Sequence, residues 1–486
     1  MTLGSFVKSI RNICRMDAGI NGDAQRIEQL TWMLFLKIYD DLESNWEVFE
    51  DDYESIIPEE CRWRNWADTT NEKGMKGEEL MNFVDTKLFP TLKNLEIPAN
   101  CPRRKSIVKA VFEDIHNYMK SGVYLRQVIE VINACDFSDP DESHAFGTIY
   151  ETILKELQSA GSAGEFYTPR ALTDFMARHV DLKIGEQVAD FACGTGGFLN
   201  SARKFLEPQA VTNEDREVLS SSFYGIEKKP LPHLLCITNM LLNGVEDPKI
   251  QHGNSLKKNV SDFVDSDKFD VILMNPPYGG SEDVSIQQNF PENMRSAETA
   301  DLFMILIMKR LKATGRAAVV IPDGFLFGSG NKAEIKKELL TKYNLHTIVR
   351  LPTSVFSPYT SIATNVIFFD GKGPTKETWV YRVDMPEGYK HFSKTKPMLL
   401  EHLAELESWW TSRQAIEIDG NPKAKRFTPD DFKALDYNMD VCGFPQEEEE
   451  ILPPYELIEK YKAERSKQEK AIDSALAQIF ALLEAK

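Results

Sequence analysis

The run Asn275-Pro276-Pro277-Tyr278 combines residue types suited to capturing a planar amine. Two prolines remove two N–H donors and stiffen the backbone, so carbonyl oxygens and the Asn275 amide oxygen can converge as acceptors. Acceptors without competing donors suit an NH₂ group, and the Tyr278 ring offers a flat face on which the ring bearing that amine can stack. The apolar stretch Phe269 to Met274 precedes the run and has the length of a buried strand. It delivers the run to a strand's C-terminal end, where open α/β sheets place their sites. A rigid turn after a strand would explain the prolines, but not Asn and Tyr on either side of them.

A second group of residues suits a nucleotide-like ligand. The strand Val188 to Phe191 runs into Ala192-Cys193-Gly194-Thr195-Gly196-Gly197-Phe198 and then a helix. Glycines let a backbone turn tightly and approach a ligand, and a following helix N-terminus presents free N–H groups. The spacing is G-x-G-G, not the G-x-G-x-x-G of a dinucleotide site. Glu227 stands at the tip of the next strand, Phe223 to Ile226, where a carboxylate can accept both hydroxyls of a ribose. Upstream lies Glu165-Phe166-Tyr167-Thr168-Pro169-Arg170, in which Thr168 is expected to cap a helix whose first residue is Pro169. From there Arg170 can reach a carboxylate in the same crevice.

These residues need a frame. From about 161 onward, short apolar runs alternate with helical segments: Gln187 to Phe191, Ser222 to Ile226, Phe269 to Met274, Arg316 to Ile321, His346 to Leu351 and Thr364 to Phe369. The alternation predicts a mostly parallel sheet in a doubly wound α/β domain over 161–375. Residues 1–160 read as a helical domain, with Ile27, Leu30, Leu34 and Ile38, and again Ile149, Ile153 and Leu157, spaced by three or four. Inside it the acidic, Trp-containing stretch from Trp46 to Lys76 is weakly periodic and is expected to be a long surface excursion. Residues 376–450 read as extended and irregular, ending in the acidic run Glu447 to Glu450, which suits a solvated linker. Residues 451–486 form a last helix, started by Pro453 and Pro454, with Ile458, Tyr461, Ile472, Ala475, Ile479 and Leu482 on one stripe. Such a stripe suits the protein's own core and a partner helix equally.

Composition narrows the setting. With 75 acidic and 57 basic residues among 486, the formal net charge of −18 opposes independent, non-specific capture of a polyanion. Action on nucleic acid would then need another component to supply much of the grip. The seven cysteines are widely spaced and form no C-x-x-C pair, which fits neither a disulfide framework nor a zinc site. No run approaches the roughly 18 apolar residues of a membrane span, and the N-terminus lacks the pattern of a signal peptide. A cytoplasmic protein with no metal centre is expected.

The motifs D-x-A-C-G-T-G-G-F and N-P-P-Y together resemble the amino-group methyltransferases that use S-adenosylmethionine. With E-F-Y-T-P-R and F-G-T-I-Y-E, the chain resembles the modification (M) subunit of type I restriction-modification enzymes from its helical N-terminal region to its last helix. The resemblance implies an adenine-N6 DNA methyltransferase with a Rossmann-like S-adenosylmethionine-dependent domain. It assigns Glu165, Phe166, Tyr167, Thr168, Pro169, Arg170, Thr195, Gly196 and Gly197 to the cofactor, Glu227 to its ribose and Asn254 to the border of its adenine. Asp190 would orient the glycine loop. Asn275 and the Pro276 carbonyl would accept from the target amine, Pro277 would stiffen the turn, and Tyr278 would stack on an adenine flipped out of the duplex. Many family members carry Phe at the position of Tyr278, and either ring stacks. The implied assembly holds two M subunits and one specificity (S) subunit, joined by restriction (R) subunits for cleavage, with the C-terminal helix docked on S. Because N-P-P-Y also serves methyltransferases of glutamine amides and RNA bases, those substrates are the alternative enzyme reading. An assembly scaffold with a vestigial pocket is the non-enzymatic one, opposed by the intact Asn275, Tyr278, Glu227 and glycine loop.

Overall fold

A helix that is apolar on one stripe covers a core, whereas one buried on nearly every side is the core. Helix α2 (Asp23–Phe49) is of the second kind, with Ile27, Trp32, Leu34, Phe35, Ile38 and Tyr39 all buried. Helices α1 (Leu3–Met16) and α3 (Gly122–Asn133) pack against it. The Trp32 ring meets Phe89 and Phe112 edge to face, with centroids 5.1 and 6.4 Å apart. The computed structural model describes residues 3–68, 74–135, 137, 147, 150–155, 167–445 and 453–484. Of the second expected helical triplet, Ile153 is buried, while Ile149 and Leu157 lie outside the described residues.

The stretch from Trp46 to Lys76 is not a surface excursion where it is described. Trp46, Ile57, Cys61, Trp63 and Trp66 are all buried. The Trp63 indole N–H donates to Asn133 Oδ1 at 2.8 Å, and the Trp46 indole N–H to Glu246 Oε2 at 2.9 Å. Isolated aromatic anchors, separated by turns and single helical turns, carry this burial, so no apolar period betrays it.

The expected strands are all present, and further ones extend the sheet. In chain order they are β1 (Val188–Asp190), β2 (Phe223–Glu227), β3 (Lys249–His252), β4 (Phe269–Met274), β5 (Leu311–Pro322), β6 (Asn344–Arg350), β7 (Thr364–Asp370), β8 (Thr378–Arg382), β9 (Ile416–Ile418) and β10 (Asn421–Phe427). Their spatial order is β3-β2-β1-β4-β5-β7-β6-β8-β10-β9. The first five are mutually parallel, which places the C-terminal ends of β1 to β5 along one rim. Strand β7 then runs antiparallel to both β5 and β6, and β10 antiparallel to β8 and β9, so the sheet is mixed beyond β5. The stretch after residue 375, expected to be extended and irregular, thus supplies three strands. Strand β8 coincides with an extended piece expected through Trp379 to Val383, whereas the short, charged sequences of β9 and β10, such as Lys423 to Arg426, hide them from an apolar-run reading.

Helices α4 (Arg170–His179), α5 (Gly197–Leu206) and α6 (Pro230–Leu242) pack beside the parallel half. α6, buried from Pro232 to Leu242, also packs on α2 and so ties the helical part to the sheet. Met1–Gly443 accordingly forms one compact unit and Phe444–Lys486 a second, which contains α7 (Pro454–Glu484). On α7 the side chains of Tyr455, Leu457, Ile458, Tyr461, Ile472 and Leu476 are exposed, while those of Ala475, Ile479 and Leu482 lie outside the described residues. Among the described residues no helix is long and apolar enough to cross a membrane.

Candidate active site

A cleft of about 340 Å³ opens at the C-terminal rim of the parallel strands. The β1–β4 pair at its centre is where strand order reverses, because β2 and β3 continue to one side and β5 to the other. Ligands of doubly wound sheets bind at such a point. Thr168, Asp190, Thr195, Gly197, Glu227, Asn254, Asn275, Pro276, Pro277 and Tyr278 all line it. Residues 107 positions apart in sequence, from Thr168 to Asn275, therefore share one wall. Glu165 and Phe166 lie outside the described residues.

The glycine loop is shaped by what stands behind it. Gly194 and Gly196 take φ of +53° and +78°, in the left-handed region that favours glycine, and Gly196 precedes the first turn of α5. A β-carbon on Gly197 would fall 2.1 Å from Arg170 Nη1. Arg170 is bound bidentately by Glu151, with Nε–Oε2 at 2.8 Å and Nη2–Oε1 at 2.9 Å, and lies over the Tyr167 ring at 4.9 Å. Burial pushes the Glu151 carboxyl up, but the guanidinium outweighs it and holds the group below the usual range. Arg170, expected at a ligand carboxylate, is thus turned behind the loop. Together with Tyr167 and Pro169 it supports the cleft without lining it. The pair joins the last residue of F-G-T-I-Y-E to the last of E-F-Y-T-P-R.

Thr168 also departs from its expected place. α4 begins at Arg170, one residue later than anticipated, and no side chain caps it. The Pro169 carbonyl instead accepts from the N–H groups of Leu172 and Thr173, at 3.0 and 3.2 Å. The freed Thr168 Oγ1 accepts from Asn275 Nδ2 at 3.2 Å.

Two acids stand in the cleft's other half. Asp190 accepts the Ala192 N–H at 3.1 Å, which pins the start of the glycine loop. Burial, with some help from Glu227, pushes its carboxyl up to about 8. Glu227 is raised by burial as well, opposed by the N–H groups of Lys229 at 2.7 Å and Gly194 at 2.9 Å, one on each oxygen. A carboxylate with about four acceptor sites keeps room for two hydroxyls beyond these. Asn254 turns its Oδ1 to the Leu256 N–H at 2.9 Å, forming a local turn at the rim after β3. Buried acids above a backbone cradle fit a ligand that brings both hydroxyls and positive charge.

At the far end, Asn275 Oδ1 is buried and has no hydrogen-bond partner among the described residues. The Tyr278 ring stands edge to face with Phe356, with centroids 6.3 Å apart, and Tyr359 lines the same wall. Burial raises the Tyr278 phenol above its usual range, so the ring is neutral. Phe356 and Tyr359 were missed from sequence. They reach the cleft because β6 ends, and the antiparallel β7 begins, at the rim, so the connection over 351–363 crosses it. Two aromatic residues in a Ser- and Thr-rich segment between strands, Ser354 to Thr364, were the available signal.

Comparison with known proteins adds the following. The N-6 DNA Methylase family matches residues 141–451, and the HsdM N-terminal domain matches 3–132. The type I restriction enzyme EcoEI methylase subunit of Escherichia coli is 49% identical over 470 residues, covering 96% of this chain and 95% of its own length. The StySPI methylase subunit of Salmonella potsdam is 28% identical over 407 residues, covering 79% and 71%. Among solved structures, a modification subunit of a putative type I restriction enzyme from Vibrio vulnificus YJ016 superposes with a TM-score of 0.77 at 45% identity, over 88% of this chain and 92% of that one. A chain from a type I R-M system, solved to explain complex assembly and conformational transition, superposes with a TM-score of 0.82 at 35% identity, over 100% and 98%.

Proposed function

The chain belongs to the N-6 DNA methylase family as a type I restriction-modification methylase subunit, and from that premise we propose that it methylates the N6 amine of an adenine flipped out of duplex DNA and held against Asn275 and Tyr278. One observation carries the proposal: the Asn275 Oδ1 atom, a buried acceptor without a partner among the described residues, at the end of the cleft walled by Tyr278 and Phe356. An unmet buried acceptor costs about 1–3 kcal/mol, which a donor brought by the substrate relieves.

The amine of adenine is a poor nucleophile because its lone pair is delocalised into the ring. Acceptance of its hydrogens by Asn275 Oδ1 and the Pro276 carbonyl would draw the nitrogen toward tetrahedral geometry and localise that pair. Tyr278 would stack on the extruded base, offsetting the few kcal/mol that unstacking costs. Asp190, Thr195 to Gly197, Glu227 and Asn254 would hold S-adenosylmethionine, with Glu227 on its ribose. When bound, that cofactor supplies an electrophilic methyl group on a sulfonium. Tyr167, Pro169 and Arg170 would serve it indirectly, by bracing Gly197.

The reading of DNA sequence belongs, in this proposal, to a separate specificity subunit, which supplies the grip that a net charge of −18 denies the chain alone. Mixing the protein with that subunit, S-adenosylmethionine and DNA, then mapping modified bases by sequencing, should yield N6-methyladenine at one recurrent site. Methyl incorporation into protein or RNA and none into duplex DNA would overturn the assignment. Within the same assignment, Glu227→Ala should weaken S-adenosylhomocysteine binding about tenfold, the loss expected for charge-assisted hydrogen bonds to a ribose. Calorimetry reads this directly, and an unchanged affinity would remove Glu227 from the ligand contacts.

A further inference from the structure

We propose that Thr168 is a positioning residue that fixes which end of the Asn275 amide meets the target base; this rests on the reading of the cleft as an adenine methyltransferase site. An amide side chain has two ends of nearly equal shape, one a donor and one an acceptor. Only the acceptor end serves an incoming NH₂ group, since the other end would set donor against donor. Something must therefore choose between two orientations that packing alone barely distinguishes.

Thr168 makes that choice. Its Oγ1 accepts from Asn275 Nδ2 at 3.2 Å, which leaves Oδ1 as the end without a partner among the described residues. The hydroxyl is not spent on the following helix, which has no side-chain cap. In the opposite orientation Thr168 would donate to Oδ1, and the NH₂ group would take the buried position that Oδ1 now holds, donor against donor when the target amine arrives. The orientation present is the productive one, with Asn275 Nδ2 donating to Thr168 Oγ1. The platform is firm. Tyr167, one residue upstream, is buried, and Arg170, two residues downstream, is clamped by Glu151 at 2.8 and 2.9 Å. The segment resembling a cofactor motif thereby sets the chemistry of the substrate end.

The test uses the complex assembled with its specificity subunit, at saturating S-adenosylmethionine, and duplexes carrying adenine or hypoxanthine at the target position. Thr168→Val keeps the branched shape and removes the acceptor, whereas Thr168→Ser keeps the acceptor. Turnover on adenine should fall about tenfold in Thr168→Val and stay within about twofold in Thr168→Ser, since tenfold corresponds to one hydrogen bond. The preference for binding adenine over hypoxanthine should also fall about tenfold in Thr168→Val alone, because a turned amide offers its N–H to the hypoxanthine oxygen. A purely structural role would lower turnover and leave that preference unchanged. Thr168→Ala, which removes the acceptor without adding a methyl against Asn275, should behave as Thr168→Val and stands in for it if the valine chain fails to fold. An unchanged preference in both, or Thr168→Ser as impaired as Thr168→Val, overturns the proposal. A wild-type complex that forms no N6-methyladenine overturns the reading of the cleft, and this assignment with it.

Discussion

Asn275→Ala should lower methyl transfer by about 10²- to 10³-fold, the loss typical when one preorganised hydrogen-bonding group is removed from a reacting centre, while leaving S-adenosylhomocysteine affinity near that of the wild type. The separation follows from geometry. Asn275 follows β4, whereas the groups proposed for the cofactor end or follow β1, end β2 and follow β3. Asn275 Nδ2 donates to Thr168 Oγ1, whereas the acids Asp190 and Glu227 accept from the N–H groups of Ala192, Gly194 and Lys229. Radiolabelled methyl transfer and calorimetry on the same preparation decide the matter. Parallel loss of rate and affinity would return Asn275 to a structural part in the turn.

A chain cut after Glu450 should fail to co-purify with the specificity subunit, and so to methylate duplex DNA, yet keep its S-adenosylhomocysteine affinity and its melting temperature to within about 2 °C. The cleft lies wholly within the unit Met1–Gly443. The removed helix α7 has 31 residues, about 46 Å at 1.5 Å per residue, and leaves Leu457, Ile458, Tyr461, Ile472 and Leu476 exposed. Exposed apolar side chains in this number on one helix favour a partner, and central apolar anchors carry most of the energy of such contacts. Ile472→Glu with Ile479→Glu should reproduce the assembly defect in the full-length chain. Loss of thermal stability and cofactor binding on truncation, with normal assembly of the point variants, would assign the helix to the protein's own core.

The candidate site was legible in sequence wherever a residue type, a spacing and a strand end coincided. Glu227 and Asn275 each follow an apolar run, and the glycines sit between a strand and a helix, so local pattern located all of them. What escaped depended on pairings that no local pattern encodes. Arg170 has the chemistry to hold a carboxylate, and it does hold one, but that of Glu151, 19 residues upstream. Thr168 has the residue type of a helix cap, and a shift of one residue in the start of α4 sent its hydroxyl elsewhere. Trp63 and Trp66 were hidden in an acidic stretch because single aromatic anchors leave no period. Strands β3 and β9 are short edge elements and β10 is charged, and β3 and β10 form by pairing to β2 and β8, whose positions are set elsewhere in the sequence.

The reversal of β7 has a meaning for how such an enzyme changes over generations. Its first pairs, Pro322 with Thr364 and Arg350 with Asn365, hold both ends of the 351–363 connection, together with the Leu351 N–H on the Thr364 carbonyl at 3.2 Å. Exchange or lengthening of the residues between those clamps leaves the registers of β5, β6 and β7 untouched. The part of the Tyr278 wall that carries the exposed Tyr359 can therefore vary around the buried anchors Val355 and Phe356, while Asp190 and Glu227 keep their places on strands that this segment never pairs with. Change at the proposed substrate end of the cleft and constancy at its proposed cofactor end are thus written in separate stretches of one gene.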